Sequence, residues 1–365
     1  MEPVTIVLFL SGIGLLILGA EMLVRGASQL AISIGISPLV VGLTVVAFGT
    51  SSPELAVSVQ AALAGQGSIA LGNVVGSNIA NVLLILGLSA LIAPLTVAPQ
   101  LIRQDVPITI GVSLLVLLLA LDGWLSRLDG ALLIFGMALY MGFALVQARK
   151  ESAYVRAEYA EAFGDETRPA RRRWPLQLLS ILVGLALLTI GAQWLVDGAV
   201  AFATAFGVSD LVIGLTIVAV GTSLPEIAAS VVAGLRGERD IAVGNVIGSC
   251  LFNLLAVLGA ASLAAPEGIA VPPSAVAFDL PVMLATAVAC LPIFIHRGAI
   301  LRWEGGLFLG YYVAYMLYLL LAATHHDLLG PFSLVMLVFV IPLTVVTIGV
   351  VLVRYLLVVW PSEQE

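Results

Sequence analysis

Charge is scarce in this chain. Of 365 residues, 10% are Asp, Glu, Lys or Arg and 61% are hydrophobic, and the mean hydropathy is +1.14. A water-soluble protein of this length has too little interior to hide so much apolar surface, so lipid must be the solvent for most of it. No charged run is long enough to bind nucleic acid, and the net charge of −7 says little about partners. Cysteine is almost missing. Cys250 and Cys290 both fall in apolar segments, so no disulfide framework is expected and the redox compartment stays open. Two of the three histidines sit together in "THHD" (324–327), where a solvated outer loop is expected in preference to a metal site. The opening "MEPVTIVLFL" lacks a basic region and a small-residue cleavage site, and is expected to be a retained first span.

What the chain has instead is long apolar runs. A span needs about 20 mostly apolar residues, and eleven candidates meet that: 5–24, 38–64, 69–93, 106–122, 128–148, 176–196, 209–235, 241–265, 276–295, 302–322 and 331–359. Basic residues collect on the cytoplasmic side of membrane proteins. With the N-terminus outside, 14 of the 15 Lys and Arg fall inside and only Arg127 falls outside. The expected location is therefore the cytoplasmic (inner) membrane, multi-pass, with the segment 149–175 and the C-terminus in the cytoplasm. That polar segment, "RKESAYVRAEYAEAFGDETRPARRRWP", is expected to be a linker with a short surface helix, whose arginines suit anionic lipid.

The chain repeats itself. A shift of 172 places "GAEMLVRGA" (19–27) on "GAQWLVDGA" (191–199), "VGLTVVAFGTSSPE" (41–54) on "IGLTIVAVGTSLPE" (213–226), and "GNVVGSNIAN" (72–81) on "GNVIGSCLFN" (244–253). Each copy holds five spans, an odd number, so the second copy is expected upside down relative to the first. Inverted repeats of this kind build secondary transporters that bind substrate near the midplane. The expected fold is an all-α integral membrane protein: repeats at 1–148 and 176–323, the linker 149–175, and an added C-terminal helix at 330–360.

Each copy also puts a proline and a carboxylate in mid-span. Pro53 lacks an N–H and its ring clashes with the Gly49 carbonyl, so the helix must kink and the carbonyls from Ala47 to Thr50 are expected to lose partners. Bare carbonyls at membrane depth are tolerated only inside protein or beside a polar cavity. Ser51 and Ser52 suit a helix cap, with Pro53 in the first turn. Glu54 follows at once, and Thr222, Ser223, Pro225 and Glu226 repeat the cluster. On the next helices Asn73, Ser77 and Asn81 recur every four residues, as do Asn245, Ser249 and Asn253, alongside glycine pairs that allow close packing. All these ligands are oxygens, which suit Ca²⁺, Na⁺ or Mg²⁺ over Zn²⁺ or Cu²⁺. An unpaired carboxylate at the bilayer centre costs several kcal/mol or so, which favours exchange of bound cations over leak.

At these residues the sequence resembles the cation/Ca²⁺ exchanger superfamily, in particular its prokaryotic sodium/calcium exchanger members. The resemblance spans roughly residues 1–322 and rests on "G-T-S-x-P-E" and "G-N-x-x-G-S-x-x-x-N", each present twice. It implies Ca²⁺ binding by Glu54 and Glu226 with the carbonyls of Thr50 and Thr222. It implies flanking Na⁺ positions at Ala47, Ser51 and Ser77, and at Ala219, Ser223 and Ser249. It also implies an electrogenic exchange of three Na⁺ for one Ca²⁺, with no cofactor beyond the transported ions. Asn253, facing Asn81, stands where K⁺-dependent members carry an acid, which argues against K⁺ co-transport. No protein partner is deducible. A Ca²⁺/H⁺ exchanger would use the same glutamates. An intramembrane protease would need a His or Lys base beside Ser51 or Ser223, and none is near. A passive channel is the remaining class. Asp105 in "QDVP" and Asp279 in "FDLP" are read as helix caps.

Overall fold

The structure, a computed structural model, describes residues 3–34, 36–163, 174–207, 210–213, 216–217, 219–354 and 357. Helix α1 is Pro3–Ile34. The next span is broken into α2 (Pro38–Thr50) and α3 (Ser52–Leu63), bent 45° at Ser51. There follow α4 (Gly67–Ile92) and α5 (Leu101–Asp122), then α6 (Arg127–Phe163) and α7 (Trp174–Ala205). Short turns at Asp210–Ile213 and Ala219–Gly221 lead into α8 (Leu224–Leu235). The chain closes with α9 (Arg239–Ala264), α10 (Ala275–Gly298), α11 (Arg302–Ala323) and α12 (Leu329–Val353). Among the described residues nine helices are long and apolar enough to cross a membrane, and the bent pair α2–α3 makes ten. The expected span 209–235 is described only in pieces, because residues 209, 214, 215 and 218 lie outside the described set.

Two helices outrun their apolar windows. The first was expected to end near residue 24 and the sixth near 196, yet α1 runs to Ile34 and α7 to Ala205. Past Glu21 the apolar stretch thins, but Ala27 and Ala31 remain fully buried, so one packed face carries the helix on. Helix α6 likewise continues unbroken to Phe163, into the segment read as a linker. Residues 164–173 of that segment lie outside the described set.

The pairing of α1 with α7 brings the two halves together. A Cβ on Gly12 would lie 2.8 Å from the Gly191 carbonyl oxygen, and one on Gly19 would lie 2.8 Å from that of Gly184. The helices are therefore antiparallel and in backbone contact, as small residues permit in lipid. Under the 172-residue shift Gly12 becomes Gly184 and Gly19 becomes Gly191, so each contact maps onto the other. Gly19→Ala should cost about 1–3 kcal/mol, because a rigid backbone stands in the way. Gly111→Ala, where nothing lies within 4 Å of the new Cβ, should be neutral. Thermal unfolding of the two variants in detergent checks the contrast.

Helices α4 and α9 form the centre. Their apolar windows are 72% and 94% buried, whereas those of the other spans are at most 39% buried. Hydropathy does not separate them, since α4 at 2.0 and α9 at 2.1 match lipid-facing α5 at 2.0. Helix α12 lies at the other extreme, with none of its window buried. It is tied to α11 by the Tyr311 hydroxyl, which donates to Thr344 Oγ1 at 2.7 Å.

Two features were not foreseen. Four two-residue strands interrupt the helical pattern: β1 (Leu95–Thr96), β2 (Trp124–Leu125), β3 (Ile269–Ala270) and β4 (Ala299–Ile300). The antiparallel ladders β1–β4 and β2–β3 each join a loop of one half to a loop of the other. Asp105 and Asp279 are not side-chain caps. Asp105 Oδ1 accepts from the Tyr140 hydroxyl at 3.1 Å, and Asp279 Oδ1 from that of Tyr315 at 3.0 Å. The helix N-terminal to each Asp continues through a widened π turn, so its backbone N–H groups offer no cap to fill.

Candidate ion-binding site

The break between α2 and α3 begins with Pro53, which sits in the first turn of α3 with Ser51 as the residue between the two helices. Ser51 has φ −84° and ψ 8°, off the helical path. Its hydroxyl does not cap α3. It crosses to the other half and donates to Glu226 Oε1 at 3.0 Å. Ser52 turns back to the Phe48 carbonyl at 2.9 Å. The expected loss of carbonyl partners is narrower than the sequence implied, because Ala47 O still accepts the Ser51 N–H at 3.0 Å. The second copy is built alike, with Ser223 (φ −88°, ψ 5°) before α8 and Pro225 and Glu226 in its first turn. For Ala219 only the backbone is described, as the start of the Ala219–Gly221 turn.

Glu54 and Glu226 are each 1% exposed and lie within electrostatic reach of one another. Among the described residues, neither oxygen of Glu54 has a hydrogen-bond partner, nor does Glu226 Oε2. The same holds for the hydroxyls of Thr222, Ser223 and Ser249 and for the side-chain amides of Asn81 and Asn253. Buried polar atoms almost always find partners. So many unpartnered oxygens, drawn from α3, α4, α8 and α9, are costly unless something positive engages them. The donor set contains carboxylate, hydroxyl and amide oxygens, the kind hard cations select. Among the described residues no three His, Cys, Asp or Glu side chains group together, so any ion here must rely on Ser, Thr, Asn and backbone oxygens beside the two glutamates.

The polar rows on α4 and α9 divide by function. Ser77, Asn81, Ser249 and Asn253 are buried, and Asn81 and Asn253 each open a π turn, Asn81–Leu86 and Asn253–Val257. A π turn widens the helix and is often found at functional sites. The first members of the rows do structural work instead. Asn73 Nδ2 donates to Ser58 Oγ at 2.9 Å and to the Glu54 carbonyl at 3.3 Å. Asn245 Nδ2 donates to Ser230 Oγ at 3.0 Å, and its Oδ1 accepts from Thr50 Oγ1 at 3.1 Å. These bonds hold the glutamate-bearing helices against α4 and α9. Ser58 and Ser230 were missed in the sequence, although each stands four residues after its glutamate, on the same helix face, in both copies.

The motif glycines of α9 bring backbones together. A Cβ on Gly244 would lie 3.0 Å from the Leu39 carbonyl oxygen, and one on Gly248 would lie 2.5 Å from that of Leu43 and 2.8 Å from Ala47 Cβ. Helix α2, with Ala47 and Thr50, is thus set directly on α9, with Ser249 and Asn253.

Comparison with known proteins gives the family and the fold. The sequence pattern of the family described as sodium/calcium exchanger protein matches residues 4–146 and 176–321. The chain is 42% identical over 323 residues to the putative antiporter CaxA of Alkalimonas amylolytica, covering 88% of this chain and 99% of that one. It is 39% identical over 286 residues to the inner membrane protein YrbG of Escherichia coli K12, covering 77% and 86%. It is 34% identical over 350 residues to the sodium/calcium exchanger MaX1 of Methanosarcina acetivorans, covering 87% and 99%. Among solved structures, the sodium-calcium exchanger NCX_Mj superposes with a TM-score of 0.73 at 30% identity, over 85% of this chain and 96% of that one. A multi-pass helical membrane protein whose two halves share one glutamate-bearing, helix-breaking motif, this chain belongs to the sodium/calcium exchanger family.

Proposed function

We propose that this protein is a Na⁺/Ca²⁺ antiporter of the cytoplasmic membrane, a secondary transporter and not an enzyme, working by alternating access. The observation that carries the reading is the buried pair Glu54 and Glu226, brought from opposite halves to one place, with Ser51 of the first half donating to Glu226 of the second. Ca²⁺ sits between the two carboxylates with the carbonyls of Thr50 and Thr222, near Asn81 and Asn253. Na⁺ takes flanking positions at Ala47, Ser51 and Ser77 and at Ala219, Ser223 and Ser249. One Ca²⁺ cancels the formal charge of the pair, and Na⁺ ions do the same in its place. The neutralised site can be passed from one face to the other, whereas a bare dianion at membrane depth resists exposure to lipid. Three Na⁺ for each Ca²⁺ makes the cycle electrogenic.

The architecture proposed for this cycle is two inverted five-helix repeats, 1–148 and 176–323, joined by the linker 149–175 and followed by an eleventh helix at 330–360. The reciprocal glycine contacts of α1 with α7 and the reciprocal ladders β1–β4 and β2–β3 support the inversion. The distribution of Lys and Arg supports an outer N-terminus, with the linker and C-terminus in the cytoplasm. The paired helices α1 and α7 slide against the core to switch access.

The test is Ca²⁺ uptake into proteoliposomes loaded with Na⁺, compared with uptake driven by a pH gradient at symmetrical Na⁺. Uptake that follows the Na⁺ gradient is expected. Uptake that follows only the pH gradient would assign the same glutamates to Ca²⁺/H⁺ exchange.

A further inference from the structure

Among the described residues, one face of the protein carries an electrostatic fastening that the corresponding place on the opposite face lacks. On α1, Glu21 Oε1 lies 2.5 Å from Arg236 Nη2, and Glu21 Oε2 accepts from Arg236 Nε at 2.9 Å, a two-pronged carboxylate–guanidinium pair. Arg25, one turn along α1, also reaches Glu21 Oε1 at 2.5 Å. Ser28, a turn further, donates to Glu238 Oε1 at 2.6 Å. Arg236 caps the C-terminus of α8, the helix that bears Glu226, and Glu238 precedes α9. Two contacts, Glu21 with Arg236 and Ser28 with Glu238, therefore tie α1 to the short connection between the two central motif helices of the second half, while Arg25 braces Glu21 from within α1.

The 172-residue shift identifies the corresponding place on the other face. Glu21 becomes Gln193, Arg25 becomes Asp197 and Ser28 becomes Val200, while Arg236 and Glu238 become Ala64 and Gln66. Gln193 and Asp197 are exposed. The second copy of the fastening cannot form, since Ala64 has no charge to offer and Gln193 none to receive. The glycine contacts of α1 with α7 do exchange one for one between the halves, so at this helix pair the fastening is a difference between the two faces.

We propose that the Glu21–Arg236 pair, supported by Arg25 and by Ser28 with Glu238, is a latch that holds α1 against the core at one face and so makes the two access states unequal. The inference rests on the alternating-access reading given above. Opening at the latched face must separate Glu21 from Arg236, whereas among the described residues the corresponding place on the other face has no ion pair to break. The pair is partly exposed, with side-chain exposures of 20% for Glu21 and 53% for Arg236. It should therefore act as a modest bias that salt weakens, not as a lock.

A cysteine at Ala27 reports the latch, because Ala27 lies on α1 between Arg25 and Ser28 and is fully buried. The native thiols, Cys250 and Cys290, are buried too. Full-length protein carrying Ala27→Cys is reconstituted in vesicles, and its labelling by a membrane-impermeant maleimide is timed from the face bearing residues 236–238. Glu21→Gln and Arg236→Gln should each raise the labelling rate about two- to five-fold, the size expected for an exposed ion pair. The double variant should go no further than either single one, because both remove one interaction. High salt should raise the rate with the pair intact and leave the variants unchanged. The half-saturating Ca²⁺ concentration from that face should fall by a similar factor. Unchanged labelling in both single variants would overturn the latch, and so would additive effects or a salt response that survives neutralisation. If labelling behaves as stated while no form of the protein moves Ca²⁺, the transport reading fails and the latch stands. If Ca²⁺ moves and labelling does not respond, the latch alone fails.

Discussion

Glu54→Gln should abolish Na⁺-driven Ca²⁺ uptake, lowering it about 100-fold or more, equivalent to roughly 2.8 kcal/mol, and Glu226→Gln should do the same. The amide keeps the shape of the side chain and one oxygen, so the loss reports charge and not volume. A second measurement separates a lost ligand from a lost fold. In the intact protein Ca²⁺ binds only the folded state and should raise the unfolding temperature in detergent, because about 100 Kd of ligand adds about 2.7 kcal/mol. In either glutamine variant that ion-dependent rise should vanish. The ion-free protein should meanwhile become more stable, since two buried carboxylates within electrostatic reach lose one charge between them. A variant that unfolds at lower temperature with and without Ca²⁺ would instead mark Glu54 as a packing residue. A passive channel makes a third pattern, in which conductance persists in Glu54→Gln and selectivity alone changes.

Much of this site was legible because the chain writes it twice. A single Glu after a single Pro in an apolar run reads equally well as a kink beside a protonated side chain. Its recurrence 172 residues later, with the Asn and Ser row behind it, is what singled out Glu54, Glu226, Ser51, Ser223, Asn81 and Asn253 before any fold was known. Cross-repeat bonds were not legible. Nothing in the local sequence says that Ser51 serves Glu226 and not the helix it begins, or that Thr50 serves Asn245, since those partners are fixed by packing between halves. Ten of the eleven expected spans reappear among the described residues, because hydropathy reports an apolar surrounding, and the other, 209–235, is described only in pieces. The layering was hidden for the same reason: lipid tails and protein interior are equally apolar, so α9, almost wholly buried, reads like α5. The aspartates at 105 and 279 misled because a polar residue before a proline normally marks a helix start. Here the helix was already under way, and the carboxylates turn to Tyr140 and Tyr315.

Gly248→Ala should disable transport with the glutamates intact. The added Cβ would lie 2.5 Å from the Leu43 carbonyl oxygen, 2.8 Å from Leu43 Cα and 2.8 Å from Ala47 Cβ. None of these is the free end of a flexible side chain, so the backbones of α2 and α9 must move apart. Overpacking of this kind costs about 1–3 kcal/mol in stability. The displacement falls where Ala47 and Thr50 face the residues around Ser249, and Thr50 would be pulled from Asn245, which it holds at 3.1 Å. The proposed site draws backbone and hydroxyl oxygens from these two helices and has no spare ligand to offset such a shift. Na⁺-driven uptake should drop about tenfold or more, which corresponds to a loss of only about 1.4 kcal/mol in ion binding or in the barrier. The Ca²⁺-dependent rise in unfolding temperature should shrink but not disappear, since both carboxylates remain. That residual stabilisation distinguishes Gly248→Ala from Glu54→Gln. Wild-type flux in Gly248→Ala would mean that the close approach of α2 to α9 is not needed for transport, and that the carboxylates alone define the site.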